Sequence, residues 1–97
     1  MVPESPQSDS LHISSVLVTA YLAAVPALAA KIGAMRGTEV HAVAGSKIVV
    51  VLEGRDSREI GDHLAEIAHM EGVLAANMVF EQVVDSAALE KEVGDTL

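Results

Sequence analysis

The sequence predicts an α+β fold in which a strand–helix–strand unit occurs twice. Five consecutive apolar residues, Ile48–Leu52, lie between Lys47 and Glu53 and indicate a buried central strand. Two amphipathic helical patterns end in the similar tripeptides Met35-Arg36-Gly37 and Met70-Glu71-Gly72, which begin 35 residues apart. The order βαββαβ is the ferredoxin-like, split βαβ arrangement, a four-stranded antiparallel sheet with both helices on one face.

The first strand and the first helix are predicted from a change in the spacing of apolar residues, from strand-like to helical. Residues 12–20 predict a strand, with Val16 and Val18 on the core face and Ser15, Leu17 and Thr19 on the other. Residues 24–35 carry apolar side chains at helical spacing, and Pro26 stands in the first turn, where the missing N–H removes no hydrogen bond. Gly37 suits a left-handed residue just beyond the helix.

The central hairpin and the second helix come next. Residues 38–43 predict the second strand, 44–46 a tight turn and 47–53 the third strand. Asp56 and Glu59 have the spacing of a helix N-cap and the third residue of the helix, so a second helix begins there.

The last strand covers residues 73–81, after Gly72 ends the helix. We therefore expect a ferredoxin-like domain over residues 11–81. Residues 1–10, rich in Pro, Ser and acid, predict a disordered leader, and 82–97 an acidic tail that is disordered or a short helix.

The composition restricts the classes of function. Tyr21 and Phe80 are the two aromatic residues, so the core is aliphatic and a base-stacking RNA surface is not expected. The formal net charge of −8 disfavours any nucleic-acid partner. The absence of Cys excludes disulfides and thiolate metal sites. The acidic start does not match a secretory signal and Pro26 interrupts the longest uncharged stretch, so we expect a cytoplasmic protein without stable membrane insertion.

Residue patterns for catalysis or metal binding are weak. His63 and His69 are six residues apart on one helix, and His12 and His41 lie on different strands, so we expect no metal and no cofactor. Gly45-Ser46-Lys47 lacks the upstream glycine of a phosphate loop and predicts a hairpin turn. No nucleophile has a paired base, and we expect a protein that is not an enzyme.

The sheet face opposite the helices is the candidate binding surface. Alternation places Val40, Ala42 and the even-numbered residues 74–80 toward the helices, and Val43 and Ala75 on the opposite face. Within that opposite face we predict a peptide-binding set: Ser15, Leu17, Thr19, Glu39, His41, Val49, Val51, Glu53, Val73, Asn77 and Val79. Weak self-association through this face, or cover by residues 82–97, is the alternative interpretation.

Several segments resemble one family of small chaperones. They are Ile13–Val18, Gly37–Val40, Ile48–Val51, Asp56-Ser57 and Met70–Ala75, in this order and at this spacing. Over about residues 11–82 the chain resembles the NapD-type chaperones of periplasmic nitrate reductase maturation.

The resemblance implies a cytoplasmic proofreading chaperone with a ferredoxin-like fold. Its partner would be the twin-arginine signal peptide of the molybdenum-containing catalytic subunit, whose export through the Tat translocase it delays until the cofactor is loaded. A domain that dimerises through its sheet and senses small metabolites is the alternative of another class. An acylphosphatase-like enzyme ranks third, because residues 21–24 contain neither Arg nor Gly.

Overall fold

The computed structural model describes residues 10–85, which form four strands, two α-helices and one 3₁₀ turn. In chain order these are β1 (Ser10–Ala20), the 3₁₀ turn (Leu22–Ala24), α1 (Val25–Gly33), β2 (Thr38–Ala44), β3 (Lys47–Gly54), α2 (Ser57–Ala68) and β4 (Val73–Asp85).

The four strands make one antiparallel sheet in the order β2-β3-β1-β4. The prediction that the first and third strands are central neighbours is confirmed. Helix α1 lies against β2 and β3, while α2 lies against β1, β3 and β4. Both helices therefore cover one face of the sheet, and the ferredoxin-like α+β class is confirmed.

The core lies between this covered face and the two helices. Its apolar members are aliphatic, as the composition predicts, and Ser14 is fully buried on the same face of the sheet. Burial of the aliphatic side chains contributes about 25 cal/mol per Å² of apolar surface. Its buried members are Val16, Val18, Ala20, Val25, Leu28, Ile32, Ile48, Val50, Leu52, Ile60 and Ile67.

Local hydrogen bonds fix where the helices begin and end. The Thr38 hydroxyl donates to the carbonyl of Ile32 and, at 3.0 Å, to that of Met35, so it ties the end of α1 to the start of β2. The Asp56 carboxylate accepts the amide of Glu59 at 2.9 Å, which confirms the predicted N-cap of α2. In return, the Arg55 amide donates to the Glu59 side chain at 2.8 Å.

The two tripeptides of the repeat have the same backbone role. Gly37 and Gly72 have φ of 76° and 97°, a region that side-chain-bearing residues rarely adopt. Space is also limiting, because a Cβ on Gly72 would lie 2.8 Å from Cβ of Ala24. The repeat therefore marks two points where the chain turns from a helix into a strand.

A bulge in β2 corrects part of the predicted alternation. Val40 pairs with Val50, but the next pair is Ala42 with Val49, which leaves His41 as an extra, unpaired residue. Paired residues share a face, so Ala42 lies opposite the helices and Val43, paired with Ile48, lies on their side. The predicted faces of Ala42 and Val43 are therefore wrong.

Two bulges in β4 shift its alternation as well. Leu74 and Val79 are the extra residues, which places Val73 opposite Ala20 and Phe80 opposite Ser15. Val73 packs against the core, so its predicted place on the uncovered face is wrong. Phe80 was expected in the core, and it lies on the uncovered face with 54% of its surface exposed.

The ends of the domain also differ from the prediction. Strand β1 begins at Ser10, inside the expected leader, and β4 continues to Asp85, past the expected end near residue 81. The long β1–β4 pairing explains both, because Ser10 pairs with Asp85. The rest of the predicted leader and tail, residues 1–9 and 86–97, lies outside the described residues.

Candidate functional site

The sheet face turned away from both helices is the candidate site, and we call it the open face. Strand register arranges it in four cross-strand rows, because directly paired residues point to the same side. The rows are Ala44–Lys47–Thr19–Ala75, Ala42–Val49–Leu17–Asn77, Glu39–Val51–Ser15–Phe80 and Glu53–Ile13–Gln82.

The centre of the open face is apolar and half-buried. Val49, Val51, Leu17 and Ile13 are each partly shielded by their neighbours in the sheet, whereas Val50 between the two valines is fully buried. Within residues 10–85 no helix or strand lies over these side chains. Among the described residues the surface is thus uncovered, and it is apolar enough to bind another apolar surface.

One end of the open face is acidic. A hollow of about 230 Å³ is lined there by Gly37, Thr38, Glu39, Val51 and Glu53, and we call it the acidic hollow. Both glutamates are exposed. The described part of the chain places His12 Nδ1 4.0 Å from a carboxylate oxygen of Glu81, and this contact involves neither glutamate of the hollow. Within residues 10–85 both carboxylates can therefore meet a cationic ligand.

The backbone at the acidic hollow is fixed by Gly37. The Glu53 amide donates to the Gly37 carbonyl at 2.8 Å, which joins the end of β3 to the chain entering β2. A Cβ on Gly37 would lie 2.9 Å from the Glu53 carbonyl oxygen and 3.2 Å from Nε2 of His63. The hollow therefore rests on a close backbone approach that only glycine permits.

The other end of the open face carries a cation. Nζ of Lys47 donates to Oγ1 of Thr19 across the β1–β3 pair at 3.1 Å. This hydrogen bond holds the ammonium group over the sheet surface. The open face consequently has opposite charges at its two ends.

The structure brings eight of the eleven predicted binding residues together on the open face. These are Ser15, Leu17, Thr19, Glu39, Val49, Val51, Glu53 and Asn77. His41 and Val79 are the unpaired residues of bulges, both exposed, and Val73 lies on the covered side.

Sequence reasoning missed several members of the open face. Ile13 has the same odd-numbered position as Ser15 and Leu17, so alternation along β1 could have found it. Phe80 and Ala42 follow bulges, and no signal in the sequence marked those bulges. In the sequence, Lys47 shows only that the apolar run of the central strand has a charge at its start.

A second hollow lies away from the open face. It has a volume of about 440 Å³ and is lined mainly by the 3₁₀ turn, α1 and the tripeptide before β4, with Tyr21, Leu28 and Lys31 among its residues. Among residues 10–85 no group of three or more His, Cys, Asp or Glu side chains is placed to hold a metal. Neither helix in this part of the chain is long and apolar enough to cross a bilayer.

Comparison with known proteins gives consistent matches. A family model described as NapD protein matches residues 11–85. The chaperone NapD of Paracoccus pantotrophus is 50% identical over 78 residues, which are 80% of this chain and 70% of the relative. The solution structure of the E. coli Tat proofreading chaperone protein NapD matches with a TM-score of 0.70 at 26% identity, over 74% of this chain and 78% of that one.

These matches confirm the family resemblance and the fold expected from the sequence. Because both named relatives are chaperones, they also confirm that the protein is not an enzyme.

Proposed function

The chain belongs to the NapD family of chaperones, and from that premise we propose that its open face binds the twin-arginine signal peptide of the periplasmic nitrate reductase catalytic subunit. The protein acts in the cytoplasm on the precursor. A signal peptide held on the chaperone is unavailable to the Tat translocase, so export waits until the molybdenum cofactor is loaded.

The observation that supports this proposal is the open face itself. Its central rows are apolar and half-buried, and within residues 10–85 no element covers them. Two carboxylates lie at one end of the same surface. A Tat signal has a cationic start followed by an apolar segment, so the chemistry of the ligand matches the chemistry of the face.

The size of the face is sufficient for the energetics. Ordering a flexible peptide costs about 2–5 kcal/mol. At about 25 cal/mol per Å² this cost is offset by about 80–200 Å² of buried apolar surface. Four strands about 4.8 Å apart and six residues long present about 280 Å² as a flat surface. Apolar and polar positions share this surface in similar number. Because an apolar helix laid on the face also buries its own surface, the apolar area removed from water is of the order that offsets the ordering cost.

The carboxylates contribute recognition more than affinity. Glu39 and Glu53 are exposed, so each contact with an arginine is screened by solvent and is worth about 1 kcal/mol or less. A guanidinium can still bind a carboxylate through two parallel hydrogen bonds, which an ammonium cannot do. The acidic hollow thus favours arginine over lysine and speeds the encounter with a cationic peptide.

Calorimetric titration with a synthetic twin-arginine signal peptide tests the proposal. We expect saturable heat with the native peptide and weaker binding when both arginines are lysine. The Val51→Glu variant should lose binding, because a charge would stand in the apolar centre of the open face. The matched control is Ala30→Glu, which adds the same charge to an exposed site on α1.

Two results would contradict the proposal. One is the absence of heat from either peptide at high micromolar protein. The other is a stable dimer in sedimentation that persists in excess peptide and dissociates in Val51→Glu, because the open face would then be an interface between two copies.

A further inference from the structure

The open face has a direction along its strands. Glu53 and Lys47 lie on the same side of β3, six residues apart, and with about 3.3 Å per residue they are about 20 Å apart. Glu39 lies one row in from Glu53, and its partner in the register is Val51. The surface is therefore acidic at the end of β3 and cationic at its start.

Resting on the proposed function, we infer that the signal peptide binds in one orientation. Its arginine-bearing N-terminal end lies over Glu39 and Glu53, and its apolar segment runs across the centre of the open face toward Lys47. The bound peptide is antiparallel to β3 and parallel to β1. This assignment makes Lys47 an orienting residue of the site, at the end opposite the acidic hollow.

Two physical arguments give the same direction. The arginines meet carboxylates at one end, whereas in the reverse orientation they would meet the Lys47 ammonium, which repels them. A helical peptide also has a partial positive charge at its N-terminus and a partial negative charge at its C-terminus. At 1.5 Å per residue, about 13 helical residues span the distance between the two charged ends, so both ends can be matched together.

Disulfide trapping tests the orientation, because the chain contains no Cys of its own. Gln82→Cys places a thiol in the Glu53 row, and Ala75→Cys places one in the Lys47 row. The probe is the twin-arginine peptide with one cysteine, either before the arginines or after the apolar segment. Calorimetry under reducing conditions, where no disulfide can form, verifies that each cysteine variant still binds the peptide.

Each protein variant is paired with each peptide, and we expect the disulfide to form about tenfold faster in two of the four combinations. In these two the thiols are held close together, which raises their effective concentration. These are Gln82→Cys with the N-terminal cysteine and Ala75→Cys with the C-terminal cysteine. The other two combinations are the swapped pairs. If they form disulfides faster, or if all four combinations react at the same rate, the proposed orientation is wrong. Calorimetric binding would still support the proposed function in that case. Absence of binding by the unmodified protein would overturn both.

Exchanging the charges at the two ends of the open face tests whether they set the orientation of the peptide. In the variant that combines Lys47→Glu with Glu39→Lys and Glu53→Lys, the ends of the open face exchange sign, and all three positions are exposed. The preference should then move to the swapped pairs. If the original pairs still dominate, the charges do not set the direction and the inference is wrong.

Discussion

Val50 and Val51 are neighbours on β3 with the same side chain, and they belong to two different surfaces. Val50 is fully buried beneath the helices, whereas Val51 is half-buried on the open face. The comparison shows that an apolar strand does not reveal by composition which of its residues stabilise the fold. The side on which each residue lies decides whether its apolar surface is already covered by the domain or remains for a partner.

The two faces also differ in their polar residues. The covered face of β3 presents the side chains of Ile48, Val50 and Leu52 to the helices, all fully buried, and it ends in the buried Gly54. The open face of the same strand begins with Lys47 and ends with Glu53 around its two valines. Charges at the ends of an apolar strip limit non-specific association and give direction to a specific one.

The largest effect is expected on the covered face. Val50→Glu would bury a carboxylate among aliphatic side chains with no partner, at a cost of about 4 kcal/mol or more. This is a large part of the 5–15 kcal/mol that stabilises a typical domain. Circular dichroism during thermal and urea unfolding should show an unfolded or barely folded chain. A cooperative transition at the unsubstituted midpoint would show that Val50 is not in the core.

The neighbouring substitution should separate binding from stability. Val51→Glu leaves the carboxylate in contact with solvent, so the unfolding midpoint should stay within a few degrees of that of the unsubstituted protein. Peptide affinity should fall about 100-fold, or about 2.7 kcal/mol, because apolar contact is lost and the charge must be desolvated on binding. Calorimetry and urea unfolding on one preparation measure both. If Val51→Glu unfolds the chain, the two faces of β3 are not distinct.

A glycine outside both faces gives an intermediate effect. Gly72→Ala combines a φ of 97° with a Cβ 2.8 Å from that of Ala24, so we expect a loss of about 1–3 kcal/mol. Gly45→Ala is the matched control, because it also has positive φ but nothing lies within 4 Å of the added Cβ. Urea unfolding should give the larger loss for Gly72→Ala. Peptide affinity of the folded variant should not change, and a matching loss of affinity would contradict the separation of stability from binding.

The covered face of the two central strands, and the helices over it, were predictable because their signals are local and regular. The β-branched run of β3, the helical spacing before Gly37 and Gly72, and the Asp56 cap each follow from a few adjacent residues. Their agreement was enough to fix the strand order and the side on which the helices lie.

The open face was only partly predictable because alternation carries no record of a bulge. The extra residue His41 puts Ala42 on the open face and Val43 on the covered face, the reverse of the prediction. The extra residue Val79 puts Phe80 on the open face instead of in the predicted core. Bulges depend on pairing with a distant strand, so local sequence does not announce them. The central strands β1 and β3 pair with each other without a bulge, and there the predicted face was right.

The smallest effect is expected at the acidic end of the open face. A substitution there separates the electrostatic contribution to the association rate from the contribution to affinity. Glu53→Gln keeps the shape of the side chain and removes its charge, so unfolding should change by no more than about 0.5 kcal/mol. Affinity for the twin-arginine peptide should fall about two- to fivefold at low salt, mainly through a slower association rate. At 1 M salt, where the Debye length is about 3 Å, the difference from the unsubstituted protein should nearly vanish.

Glu66→Gln is the matched control, because it makes the same change on the exposed side of α2. It should leave the association rate unchanged, which stopped-flow measurements at the two salt concentrations can establish. Equal slowing by both variants would mean that only the net charge of the protein matters, and the acidic hollow would then have no special part in the encounter.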